Sequence, residues 1–225
     1  FTENRGFSVF IKPRGLHRAQ TSQCLQTEGD WSNAAFWLTA GAIGTKEVCV
    51  SGLSLTSKQG DKAILQLLEQ FGASIKKAEA EDGLSDITVS PSPLKGIEIN
   101  AADIPDLVPI LSLAAAAAEG TTVIRGAGRL RLKESDRLQA VTDLLGTLGA
   151  DIRQTDDGLI INGTRKNGKA SLQGGTVSSC RDHRIAMTAA IAAAVSDGPV
   201  TILGAEAVNK SYPTFWQDFE KLNGK

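Results

Sequence analysis

Residues 129–138 read Arg129-Leu130-Arg131-Leu132-Lys133-Glu134-Ser135-Asp136-Arg137-Leu138, with four cations close together and a Glu and an Asp among them. Period-2 alternation predicts Arg129, Arg131 and Lys133 on one side of an extended segment, with Leu130 and Leu132 on the other. Like charges facing one way repel unless an anion meets them, so the stretch suits a ligand bearing carboxylate or phosphate groups. Glu134 and Asp136 stand where acids favour a helix start. Leu138, Val141, Leu145 and Leu148 then follow at helical spacing. The plain alternative is a solvated charged helix start, but it leaves the alternation unexplained.

A second constellation is Asp182-His183-Arg184. A helix N-terminus offers free N–H groups and a positive dipole end, so Arg184 near one suits a phosphate or carboxylate. A lone His183 would usually be packed or capping; between Asp182 and Arg184 it becomes a candidate site member. In Asp103-Ile104-Pro105-Asp106, we assign the helix cap to Asp103 and keep Asp106 as a candidate general base. Lys210 is a candidate because it matches Lys133 in an internal repeat.

That repeat supplies the elements that must position these groups. Asp30, Asp106 and Asp182 recur at equal intervals and each opens a helix rich in small residues. A β-rich run follows each helix and ends at Gly52, Gly126 or Gly204. Next come a loop lysine (Lys58, Lys133 or Lys210) and an amphipathic helix. Strand pairs near 74–77 and 86–90, and at 151–154 and 159–162, close the first two units; the third ends at Lys225 before its pair. The expectation is an α/β domain of three β-α-β-α-β-β units with pseudo-threefold symmetry. The apolar helices lie inside, the sheets surround them, and the third unit is truncated. Residues 28–225 form this domain, with units near 28–95, 96–165 and 166–225. Phe7, Val9 and Ile11 predict an edge strand, and residues up to 27 a crossover segment. Arg137, His183 and Arg184 are charges that the repeat itself does not require, which favours a functional role.

The chain has 225 residues, 41% of them hydrophobic and 5% aromatic, with a net charge of −1. That balance argues against a nucleic-acid or membrane-surface binder and against stacking platforms for single strands. Cys24, Cys49 and Cys180 form neither a disulfide framework nor a metal pattern, as expected in a reducing compartment. No run reaches transmembrane length and no signal peptide is visible. A start at Phe1 fits a piece of something longer or a trimmed tag.

Lys133-Glu134-Ser135-Asp136-Arg137-Leu138 resembles the signature of the EPSP synthases, the 3-phosphoshikimate 1-carboxyvinyltransferases of the shikimate pathway. Asp182-His183-Arg184-Ile185-Ala186-Met187 and Asp103-Ile104-Pro105-Asp106 resemble two further motifs of that family. Glu28 to Ala35 and Lys210-Ser211-Tyr212-Pro213 match in order and spacing as well. Asn33, where the family often has Ser, and Arg129-Leu130, in place of an Asn-aromatic pair, depart from it.

The resemblance implies a cytoplasmic transferase of two such domains, of which this chain is the C-terminal one. The other domain closes over the substrates, and the very N-terminus of the family's full chain supplies the missing hairpin. It implies transfer of the enolpyruvyl group of phosphoenolpyruvate to the 5-hydroxyl of shikimate 3-phosphate, without metal or cofactor. By resemblance Asp106 is the base, Glu134 handles the methylene proton, and Lys133 lies between the substrates. Arg137, Arg184 and Lys210 hold phosphoenolpyruvate, with His183 and Asp136 beside them. The chain alone is then expected to be inactive. A transferase acting on UDP-N-acetylglucosamine and a non-catalytic domain that keeps the fold are the alternatives; the Lys-Glu-Ser-Asp-Arg motif and the intact acids argue against them.

Overall fold

The computed structural model describes residues 27–80, 83–165 and 171–222. The strand expected at residues 7–12 and nearly all of the crossover segment fall outside them. Among the described residues, six α-helices and nine strands follow in three rounds. The first round comprises α1 (Trp31–Ile43), β1 (Val48–Leu53), α2 (Ile64–Phe71), β2 (Ser74–Glu79) and β3 (Ser85–Ser90). The second comprises β4 (Glu98–Asn100), α3 (Val108–Ala116), β5 (Thr121–Arg125), α4 (Arg137–Thr147), β6 (Asp151–Gln154) and β7 (Leu159–Asn162). The third comprises β8 (Gly175–Ser178), α5 (His183–Ala192), β9 (Val200–Leu203) and α6 (Phe215–Leu222).

The second round shows the whole unit. Its sheet runs β4-β5-β7-β6, with β4 parallel to β5 and the β6–β7 hairpin antiparallel. The first sheet, β1-β3-β2, repeats the last three positions, and the parallel pair β8-β9 repeats the first two. Among the described residues, no hairpin accompanies β8-β9. Glycines with positive φ stand at the end of each crossover strand: Gly126 at 73° and Gly204 at 75° directly follow β5 and β9, whereas Gly52 at 81° lies one residue before the end of β1, where the pairing with β3 shifts register. A side chain there would strain the turn that leads into each site loop.

Helices α1, α3 and α5 pack against one another at the centre. All nine residues of α3 and all ten of α5 are buried, as expected of helices that are apolar all round. α2 and α6 lie outside; α6 buries only Phe215. Small residues let the inner helices approach the sheets closely. A Cβ added to Gly41 in α1 would lie 2.5 Å from the Val89 carbonyl oxygen of β3. Gly41→Ala should therefore cost about 1–3 kcal/mol by overpacking, although alanine is the better helix former. Urea denaturation of the two forms measures this; an unchanged midpoint would show that the close approach does not matter.

The ion-rich stretch departs from the expected extended segment. Residues Gly128–Leu132 form a 3-10 turn. Leu130 is fully buried while Leu132 is 88% exposed, because three residues per turn place Leu132 on the same side as Arg129. The cap assigned to Asp103 also fails. Asp103 is exposed, and neither the 3-10 turn Pro105–Leu107 nor α3 has a side-chain cap. Asp30 and Asp182 do cap α1 and α5. Asp106 lies within the 3-10 turn, and its carboxylate is free for other work.

Candidate functional site

The site gathers at the N-terminal ends of the inner helices. It is built around Arg137, the first residue of α4, whose side chain is 1% exposed. Its Nε donates to Asp182 Oδ2 at 2.7 Å and its Nη2 to Asp182 Oδ1 at 3.3 Å. Nη1 reaches Asp106 Oδ1 at 2.7 Å, and Nη2 also reaches Glu134 Oε2 at 2.8 Å. Ser135 Oγ donates to Asp182 Oδ2 at 3.1 Å.

Asp106 is shared by three cations. Besides Arg137, Lys133 Nζ lies 3.3 Å from Oδ1 and Arg184 Nη2 3.4 Å from Oδ2. Burial pushes its pKa up, but Arg184, Arg137 and Lys133 together outweigh that and hold it below the usual carboxylate value. Glu134 receives Lys210 Nζ at 2.9 Å on Oε1. The Lys210 hydrogen bond, helped by the charge of Arg137, lowers its pKa from 4.5 to about 2. Both acids are therefore fully ionised at neutral pH and can accept protons but not donate them. His183 is buried; burial and the neighbouring Arg184 push its pKa down. Its Nδ1, buried and 3.9 Å from Asp182 Oδ1, has no hydrogen-bond partner in the structure.

The structure thus brings together Asp106, Lys133, Glu134, Arg137, His183, Arg184 and Lys210. Asp136 stands apart. It caps α4 by accepting from Gln139 N at 3.1 Å and pairs with Arg131 at 3.1 Å. Glu134 is not a helix-start acid; it lies three residues before α4, turned toward Lys210.

Three features escaped sequence reasoning. The sequence pattern marks Asp182 as a helix opener beside His183 and gives it no partner, yet it anchors Arg137. Asp61 is buried, accepts a hydrogen bond from Ser32, and has its pKa raised by burial. Its signal was present: Lys58-Gln59-Gly60-Asp61 occupies the repeat position of Lys133-Glu134-Ser135-Asp136. A hollow of about 410 Å³ lies between Asp61 and Asp106, lined also by Ser32, Gln59, Asp103 and Arg129. The third feature is Tyr212, which ties the Lys210 loop to α1. Its hydroxyl accepts from Trp37 Nε1 at 3.2 Å and donates to Asp218 Oδ2 at 3.0 Å.

Among the described residues no His, Cys, Asp or Glu group is arranged to hold a metal ion, and no helix is long and apolar enough to cross a membrane. A larger apolar groove of about 470 Å³ lies at the opposite, C-terminal ends of α1 and α5 and holds none of these charges.

The three-unit α/β domain, which gathers four cations and three carboxylates at the N-terminal ends of its inner helices, has the fold of the enolpyruvyl transferases. The solved structure of NikO, an enolpyruvyl transferase from Streptomyces tendae, shares this fold with a TM-score of 0.66 at 21% identity, covering 87% of this chain and 43% of that one. The chain belongs to the EPSP synthase (3-phosphoshikimate 1-carboxyvinyltransferase) family, whose model matches residues 3–219. It is 45% identical to the 3-phosphoshikimate 1-carboxyvinyltransferase of Clostridium novyi (strain NT) over 222 residues, 99% of this chain and 48% of that protein. An EPSP synthase structure from Acinetobacter baumannii superposes with a TM-score of 0.78 at 38% identity, covering 85% of this chain and 45% of that one. The chain spans about half the length of the curated relatives it matches.

Proposed function

We propose that this chain supplies half of the active site of a 3-phosphoshikimate 1-carboxyvinyltransferase, which moves the enolpyruvyl group of phosphoenolpyruvate to shikimate 3-phosphate and releases phosphate. The observation that carries this reading is the shared cluster in which Asp106 faces Arg137, Lys133 and Arg184 while Glu134 faces Lys210. Addition of an alcohol to an enol phosphate needs a base at the hydroxyl, an acid at the methylene carbon, and cations for the anionic groups. Asp106, ionised and beside the hollow, is placed to take the hydroxyl proton. Lys133, bonded to Asp106, lies between acceptor and donor. Arg184 and Lys210 hold the donor's carboxylate and phosphate, and Arg137 joins them through the edge that now meets Glu134. His183 lies buried next to Arg184, and Asp136, paired with Arg131 and capping α4, supports the loop that presents Lys133.

An arriving anion competes with Glu134 for Lys210 and Arg137. Once displaced, Glu134 loses the cause of its low pKa and becomes able to carry the methylene proton. The second half of the site and a cytoplasmic setting belong to this proposal by analogy with the named relatives. The test is an assay of a protein of the relatives' length that contains this chain, offering shikimate 3-phosphate or UDP-N-acetylglucosamine as acceptor with phosphoenolpyruvate. Phosphate release only with the first supports the reading; release only with the second, or with neither, defeats it.

A further inference from the structure

We propose that Asp182 is a positioning residue of this site: its buried carboxylate fixes the Arg137 guanidinium, and Arg137 in turn sets the places of Asp106 and Glu134. What the two acids do rests on the enolpyruvyl-transfer reading; how they are held does not.

The Asp182 side chain is 0% exposed, so it acts through its neighbours and does not touch a dissolved ligand. Both its oxygens are engaged. Oδ2 accepts from Arg137 Nε at 2.7 Å and Ser135 Oγ at 3.1 Å; Oδ1 accepts from Arg137 Nη2 at 3.3 Å and Arg184 N at 2.9 Å. The side-on grip through Nε and Nη2 fixes the plane of the guanidinium, because a two-point contact between planar groups leaves little freedom to rotate. The remaining edge then points Nη1 at Asp106, 2.7 Å away, and the second Nη2 hydrogen at Glu134, 2.8 Å away. Asp106 and Glu134 come from separate loops. Arg137 is the group that touches both, and Asp182 is what holds Arg137.

The repeat offers an internal contrast. Asp30 also caps a helix, accepting from Ser32 N, Asn33 N and Asn33 Nδ2, but it is exposed. Capping alone therefore does not call for burial against a guanidinium. A cap is served nearly as well by Asn, whereas a two-point grip on a cation is not, since an amide nitrogen would face a donor.

Asp182→Asn separates the two tasks. In this chain, the Arg137 Nε–H should give a solvent-protected side-chain NMR signal that is lost in Asp182→Asn while the helical circular dichroism remains. In a protein of the relatives' length, Asp182→Asn should lower kcat by about 10²-fold, as small misplacements of reacting groups do, with a smaller rise in KM for the enolpyruvyl donor, because Arg137 keeps its charge but not its fixed place. Combined with Arg137→Met it should add no further loss, since both act through one contact. If Asp182→Asn fails to fold, Arg137→Lys, which keeps the charge but not the fork, should reproduce the kcat loss. A persisting Nε–H signal, a wild-type kcat, or additive losses would overturn the proposal. If the unmutated protein transfers no enolpyruvyl group, that reading falls, and the NMR comparison decides the positioning role by itself.

Discussion

Glu134→Gln and Asp106→Asn should each cut turnover by about 10²- to 10⁴-fold, the usual contribution of a positioned proton-transfer group, in a protein of the relatives' length that contains this chain. The two losses should differ in kind. Glu134 occupies the donors of Lys210 and Arg137, the groups expected to meet an incoming anion. Gln removes that competing charge, so KM for the donor should stay level or fall while kcat drops, the pattern of a variant that has lost ground-state competition as well as chemistry. The pH dependence should follow. Lys210 and Arg137 hold the pKa of Glu134 at about 2. Ligand binding removes both partners and its pKa climbs back toward 4.5, so binding takes up a proton in the acid range between the two values and not at neutral pH. The unmutated protein should show that uptake by calorimetry in acidic buffers of different ionisation enthalpy, at a pH between those two values, and Glu134→Gln should not. Asp106→Asn leaves Lys133 and Arg184 without their carboxylate and removes the base, so its kcat should fall with no compensating tighter binding. Near-normal turnover in either variant would sink that residue's assignment.

Much of this was legible in the sequence, for identifiable reasons. Buried helices advertise themselves by small apolar residues on every side, so α1, α3 and α5 could be placed from Ala34-Ala35, Leu111 to Ala118 and Ala186 to Ala194. The Gly72 C-cap in the left-handed region and the β6–β7 hairpin follow from local turn chemistry, which sequence carries well. Local pattern failed where three-dimensional neighbours decide. The alternation of Arg129 to Lys133 points to an extended segment, but Leu130 is drawn into the core and Leu132 is not, and only packing decides that. Asp106 and Asp182 looked like equivalent helix openers. Arg137 makes Asp182 a buried anchor and Asp106 a shared, partly exposed acid, and no spacing rule shows where a guanidinium from another helix will arrive. Pseudo-symmetry was useful because it separated what the fold repeats from what the site changes.

This 225-residue chain alone should hold phosphoenolpyruvate or phosphate at millimolar strength at best and turn nothing over. The reason is the openness of its charged face. The Lys210 side chain is 58% exposed, Lys133 34%, Asp106 31% and Glu134 29%. In water-like dielectric a cation–phosphate contact at such distances is worth a small fraction of its value where water is excluded. The cations are also neutralised internally, Lys133 and Arg184 by Asp106 and Lys210 by Glu134, so an arriving anion must displace a carboxylate already in place. Turnover needs still more. Two substrates must be held in register, and such positioning contributes roughly 7–11 kcal/mol in favourable cases. One open face cannot supply it, and the named relatives are about twice as long. Adding the remaining half of such a relative in trans should restore part of the activity if the halves dock. Isothermal titration and a phosphate-release assay on the chain alone, then with the second half, provide the measurement. Steady phosphate release by the chain alone, abolished by Glu134→Gln, would show that the site is complete within these residues.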